Sequence, residues 1–219
     1  MHVAVITKGT PDTAAKVSVD DSGKVTWGEG MVINPWDEYS VTEAVLLKDA
    51  HDVKTTVITL GDESHEDSLK QGLAIGIDSA VRVWDDALAE HDSLQYSRAI
   101  SAAIKKLEDV DLVIFGKELV DVGTDQHVYQ VGRLLGWQVY GAVSKILDVD
   151  FEAKTIKVER LLEQGKQVVS GPLPAVISVM KDINEPKYPS FIGIRKASKA
   201  KIPVWDGGEL GIELGTPAA

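Results

Sequence analysis

The sequence predicts an α/β protein: a doubly wound, mostly parallel sheet with an antiparallel excursion in the C-terminal third. Three observations predict it. Short apolar runs rich in β-branched residues alternate with amphipathic stretches up to Leu135, the pattern of strands that cross over through helices into one parallel sheet. The run Val110 to Phe115 ends in Gly116 and leads through a polar loop, Lys117 to Gln126, toward a helix start. After Trp137 the texture changes to alternating segments joined by short turns, which is the mark of antiparallel pairing.

Taken in order, His2 to Thr7 is the first buried strand. A small hairpin, Lys16 to Val19 with Lys24 to Trp27, interrupts the first crossover and turns at Asp21-Ser22-Gly23. Asp37 to Lys48 carries Tyr39, Val41, Ala44, Val45 and Lys48 at helical spacing, and Asp62 to Ile75 and Ser93 to Leu107 read likewise as crossover helices. Val53 to Leu60, Ala80 to Val83 and Val110 to Phe115 are the strands they connect. Val143 to Phe151 and Thr155 to Leu162 form the antiparallel excursion, Val168-Val169 extends it, and Ala175 to Val179 returns to buried sheet. No internal repeat is present.

Composition narrows the function. The 219 residues, 44% of them hydrophobic, suffice for one medium domain with a sizeable core. No run approaches the roughly 20 apolar residues that span a bilayer, and the first strand begins at His2, so a cytoplasmic protein without membrane insertion is expected. Zero cysteines exclude disulfides, thiolate metal sites, cysteine nucleophiles and iron–sulfur ligation, so any redox chemistry needs an organic cofactor. A net charge of −11 repels a polyanionic backbone, which argues against a nucleic-acid partner.

The loop after Gly116 is the best functional lead. Open α/β sheets place nucleotide phosphates where a buried parallel strand hands a glycine-containing loop to a helix N-terminus, because unpaired N–H groups and the helix dipole both favour an anion there. Thr124, Asp125 and Gln126 are candidate helix caps, and Gly123 lets backbone approach a phosphate. Asn34-Pro35-Trp36-Asp37 reads as a turn, with Asp37 capping a helix that begins near Glu38. The first strand runs into Thr7-Lys8-Gly9-Thr10-Pro11-Asp12, which lacks both the GxGxxG and the GxxxxGK[ST] fingerprints, and also the serine- and glycine-rich loop of adenylating pyrophosphatases. The five histidines, His2, His51, His65, His91 and His127, lack metal-site spacing, and most are assigned to the surface. His127 differs: it falls in the first turn of the helix after the loop, where it either donates to an anion or faces water. No nucleophile–base pair or carboxylate dyad stands out, so the chain is not expected to be a catalyst on its own.

Late in the chain come Val158-Glu159-Arg160, Leu173-Pro174-Ala175-Val176, Asn184-Glu185-Pro186-Lys187-Tyr188-Pro189-Ser190-Phe191 and Ile194-Arg195-Lys196-Ala197. Pro186 and Pro189 stiffen an extended loop on which Tyr188, Phe191 and Ile192 present an apolar patch, while Lys187, Arg195, Lys196, Lys199 and Lys201 form a basic cluster. Together with Ala4-Val5 on the opening strand, Asn34 to Glu38 ahead of a Glu43-Ala44 helix, and Gly116 to Gln126, this pattern resembles the β subunit of the electron transfer flavoproteins. Four blocks in order and at matching separations carry the resemblance, which runs from His2 to about Trp205.

The resemblance implies an adenine-nucleotide-binding fold of the HUP-like type, a heterodimer with an α subunit, and electron carriage from flavin dehydrogenases to a downstream, quinone-reducing oxidoreductase. The redox FAD would be held chiefly by the α subunit, and AMP would bind here. By block matching, the AMP pocket would use Ala4, Asn34, Pro35, Trp36, Asp37, Leu60, Gly116, Lys117, Asp121, Val122, Gly123, Thr124, Asp125, Gln126 and His127. The stretch 184–197 would be the partner-recognition loop, with Phe191 as its exposed apolar side chain beside Tyr188, Pro189, Ile192, Arg195 and Lys196. Residues 1–205 would be one nucleotide-binding domain and 206–219 a tail against the α subunit. Three departures from the family pattern bear on contacts: Leu161 stands where a glutamate usually follows the VER triplet, Val128 replaces a glycine, and Gly123 an acidic residue. The chain also stops at Ala219, soon after Gly211-Ile212-Glu213-Leu214, where many relatives continue into an arm.

Two alternatives stay open. One branch of the family bifurcates electrons and carries a second FAD whose adenosine part lies where AMP lies elsewhere; Trp36-Asp37-Glu38-Tyr39 looks closer to the AMP-binding type. A different class, a universal-stress-type nucleotide-sensing homodimer, uses the same sheet and adenosine pocket, but has no use for the antiparallel excursion or the 184–197 loop.

Overall fold

The structure, a computed structural model, describes residues 1–28 and 30–213. Its elements in chain order are β1 (His2–Thr7), β2 (Gly9–Pro11), β3 (Val17–Val19), β4 (Val25–Trp27), β5 (Met31–Ile33), α1 (Pro35–His51), β6 (Lys54–Leu60), α2 (Glu66–Ile75), β7 (Ser79–Val83), α3 (Ser93–Lys106) and β8 (Val110–Gly116). They continue as α4 (Gln126–Leu135), β9 (Gln138–Asp150), β10 (Thr155–Leu162), β11 (Gly165–Pro172), β12 (Ala175–Val179), α5 (Phe191–Ala197), β13 (Val204–Trp205) and α6 (Gly207–Leu210).

Nine strands form one sheet in the order β11-β10-β9-β12-β8-β1-β6-β7-β13. From β9 to β13 every neighbouring pair is parallel, and β10 and β11 add antiparallel to the free side of β9. The central strands are buried end to end because helices cover both faces, so they read as continuous apolar runs rather than alternating ones. On one face α1 and α2 pack Val41, Val45 and Leu69 against Val3, Val5, Val57 and Ile114. On the other, α3 and α4 pack Tyr96, Ile100, Ile104, Val128 and Val131 against Ile6, Ile58, Val113 and Val176. The predicted doubly wound architecture, the excursion and the exposed β3–β4 hairpin are all present.

Several expectations need correction. Helix α1 begins at Pro35, not near Glu38, because proline suits the first helical position, where its missing N–H has no acceptor to satisfy; Asp37 is thus inside the first turn and Asn34 is the N-cap. His2 is buried rather than superficial: burial lowers its pKa, its Nδ1–H donates to the Glu108 carbonyl at 3.0 Å, and its Nε2 accepts from the Thr56 hydroxyl at 2.7 Å. The 184–197 stretch is extended only to Ser190, whose hydroxyl accepts from Gly193 N–H and starts the seven-residue helix α5. Two short pairs escaped the sequence, β2 with β5, and β13, which adds a parallel edge to β7 before α6 docks on α3. Of the expected tail 206–219, residues 214–219 lie outside the described residues. No helix among the described residues is long and apolar enough to cross a membrane.

Candidate functional site

Strand order reverses direction between β1 and β8: the chain builds outward from β1 through β6 to β7, then returns to the other side of β1 to lay down β8. The carboxyl ends of these two strands are therefore the topological switch point, where open α/β sheets leave a crevice for ligands. Here Thr7-Lys8 leaves β1, Gly116-Lys117 leaves β8, and the loop from Lys117 to Asp125 rises over both before α4 begins.

The loop is folded on itself. Leu119 N–H donates to the Thr124 carbonyl at 3.0 Å and Gly123 N–H to the Leu119 carbonyl at 2.8 Å, which needs the left-handed φ of +60° at Gly123. Because Thr124 is held by that bridge, its hydroxyl reaches Gln126 N–H only at 3.4 Å, and Asp125, the N-cap residue, makes no side-chain capping bond. The expected cap at Thr124, Asp125 and Gln126 is thus weak, and the first-turn N–H groups of α4 keep their capacity for an acceptor.

Under the loop lies a buried polar network. Asp37 accepts from Lys8 N–H at 2.9 Å and from the Asn34 carboxamide at 3.0 Å, and the Gly116 backbone N–H also bonds to it. Burial nonetheless pushes its carboxyl up to about 7, outweighing the donors that favour the ionised form. Asn34 donates further to the Glu118 carbonyl at 2.9 Å and accepts from Val120 N–H at 3.2 Å. Lys8 Nζ closes the outside with an ion pair to Asp121 at 2.6 Å. Lys117 lies over the Trp36 ring, 5.1 Å from its centre, and within 3.3 Å of Glu118.

Beside the network is a cavity of about 300 Å³, at the small end of ligand pockets, lined by Lys8, His91, Ser93, Tyr96, Thr124, Gln126 and His127 among others. His127 is buried there with its ring 4.3 Å from that of Tyr96, and burial first, then the Lys8 charge, pulls its pKa down to about 4. The ring is therefore neutral at pH 7 and presents an aromatic face and one N–H rather than a cation. A larger open groove of about 820 Å³ runs between α3 and Gly208–Glu213, away from the ends of β1 and β8 and lined by Arg98, Lys105 and Lys106 among others.

The structure thus brings together Asn34, Asp37, Gly116, Lys117, Asp121, Val122, Gly123, Thr124, Asp125, Gln126 and His127, with Pro35 and Trp36 at the start of α1 bordering them. Ala4 is inside β1 and Leu60 ends β6; both are packed into the core under α3 and line neither cavity. Lys8, His91 and Tyr96 were missed. Lys8 follows β1 directly at the switch point and was findable; His91 and Tyr96 arrive from α3 and its approach with no local signal. Away from the crevice, Tyr188, Phe191 and Ile192 are 94%, 81% and 79% exposed, with Pro189 against α2 and Arg195 and Lys196 alongside.

Fold and crevice together define a doubly wound α/β protein with an anion-compatible site at its switch point. Residues 25–210 match the electron transfer flavoprotein domain. Protein FixA of Azotobacter vinelandii is 35% identical over 218 residues, 97% of this chain and 77% of that protein. The electron transfer flavoprotein subunit beta of Megasphaera elsdenii is 33% identical over 94% of this chain and 78% of its own length, and the caffeyl-CoA reductase-Etf complex subunit CarD of Acetobacterium woodii 31% over 97% and 80%. The chain belongs to the electron transfer flavoprotein family, on its β-subunit side.

Proposed function

We propose that this chain is the β subunit of a heterodimeric electron transfer flavoprotein and that the switch-point crevice holds an adenylate, AMP. The observation that carries the reading is the weakly capped start of α4 opening onto a 300 Å³ cavity beside Lys8. The residues fit the group: first-turn N–H groups of α4 and the Thr124 hydroxyl suit a phosphate, and the Tyr96 and His127 rings on the cavity wall offer aromatic contact to a purine. The redox FAD, held chiefly by the α subunit, would supply the electron chemistry; this chain's residues bind the adenylate and shape the face the α subunit covers. Electrons would come from flavin dehydrogenases and pass to a quinone-reducing oxidoreductase. The exposed Tyr188, Phe191 and Ile192, rimmed by Arg195 and Lys196, have the aromatic centre and charged edge of a docking surface.

The test is co-expression with the α subunit, followed by acid extraction of the purified complex. One AMP and one FAD per heterodimer is the expected content. Two FAD with NADH oxidation would replace AMP by a second flavin and give the bifurcating form. A folded, ATP-loaded homodimer without an α partner would contradict the proposal and support the nucleotide sensor.

A further inference from the structure

Both amide hydrogens of Asn34 and one lone pair of its amide oxygen are engaged inside the protein. Its side chain is fully buried, its two amide hydrogens go to Asp37 Oδ1 and the Glu118 carbonyl, and its oxygen takes the Val120 N–H, a residue 86 positions away. Asp37 in turn is held by Lys8 N–H at the end of β1. Beyond Asn34 the connection continues through the Leu119–Thr124 bridge to the first residue of α4. Outside the loop, Lys8 Nζ grips Asp121.

We infer that Asn34, backed by Asp37, is a positioning residue: a latch that fixes the 117–125 loop over the ends of β1 and β8 and so sets the N–H groups of the crevice, without touching the ligand. The family resemblance counts Asn34 among ligand contacts, whereas its full burial and its two committed amide hydrogens favour holding the loop. Turning either amide hydrogen toward a ligand would require breaking a buried bond, which leaves a buried group unsatisfied. The inference rests on the adenylate reading for its binding readout, but its structural readout is independent of any ligand.

The experiment is amide hydrogen exchange on the full chain, wild type against Asn34→Ala, with and without AMP. In the ligand-free variant, exchange at Glu118 to Gln126 is expected to rise at least tenfold while β1 and β8 exchange as before. The AMP Kd should weaken by a similar factor, and saturating AMP should restore the protection. A weakened Kd with ligand-free loop exchange unchanged would make Asn34 a direct contact and overturn the latch. So would accelerated exchange throughout the core, which would reduce Asn34 to general support of the fold. Should Asn34→Ala not fold, Asp121→Asn, which cuts the outer half of the latch, carries the same readout: loop-confined acceleration supports it and unchanged loop exchange refutes it. If the wild-type protein binds no adenylate, the functional proposal fails while the loop exchange still decides the latch.

Discussion

Replacing Gly116 with alanine puts a methyl group where β8 passes under the start of α1. The new Cβ would lie 2.5 Å from Asp37 Oδ1, 2.7 Å from the Trp36 carbonyl carbon and 2.8 Å from Trp36 Cβ. All three neighbours belong to the first turn of α1, and the Asp37 carboxylate is held by Asn34 and Lys8, so none can move aside as a flexible side chain would. Overpacking of a rigid site costs about 3 kcal/mol, the upper part of the usual range. Gly123→Ala is the control. At φ +60° with nothing within 4 Å, it meets only left-handed backbone strain, about 1 kcal/mol. With a urea slope of about 2 kcal/mol per molar, the two variants should lower the unfolding midpoint by roughly 1.5 M and roughly 0.5 M. Equal midpoints for the two, or a Gly116→Ala shift below that of Gly123→Ala, would show that β8 and α1 are not in the contact described.

Further outcomes follow from the same geometry. Asp37 has a folded pKa of about 7 against 3.8 unfolded, so the folded state binds more protons between those values, and this group makes stability fall as pH rises from about 4 to about 7, by roughly 4 kcal/mol at most; urea melts of Asp37→Asn should show a flatter slope through that window. His127 has the opposite sign. Its pKa is lowered to about 4, so its contribution appears as pH rises through the interval from 4 to 6.5, and NMR titration should find the ring neutral at pH 6. Phe191→Ser should leave the melting temperature within a degree or two, because the side chain is 81% exposed, while slowing reduction by a flavin dehydrogenase about tenfold or more.

Much of the fold was legible because buried parallel strands leave unmixed apolar runs and a half-buried antiparallel strand alternates: β1 and β12 of the first kind and β10 of the second have the boundaries read from sequence. The site was legible as a place rather than as contacts. Gly116 and the loop beyond it announced the switch point, yet the latch joins Asn34 to Glu118 and Val120 across the chain, and no local pattern encodes that pairing. Asp37 was misread as a cap because the choice between it and Asn34 depends on where Pro35 starts the helix. Helix α5 was hidden by the two prolines ahead of it, and His2 by a strand position whose environment is set by Thr56 and Glu108. The three-residue pair of β2 with β5 is too short to show a period.

The central claim is that backbone N–H groups at the start of α4, beside the end of β8, receive an adenylate. Titration of the isotope-labelled chain with AMP, followed by amide NMR, tests it most directly. The account predicts saturable shifts concentrated at Gly116, Gly123, Thr124, Gln126 and His127, with the α5 amides of Ile192 and Ile194 unmoved. Saturable binding that shifts α5 or the α3–α6 groove and leaves the 116–127 amides in place would contradict it.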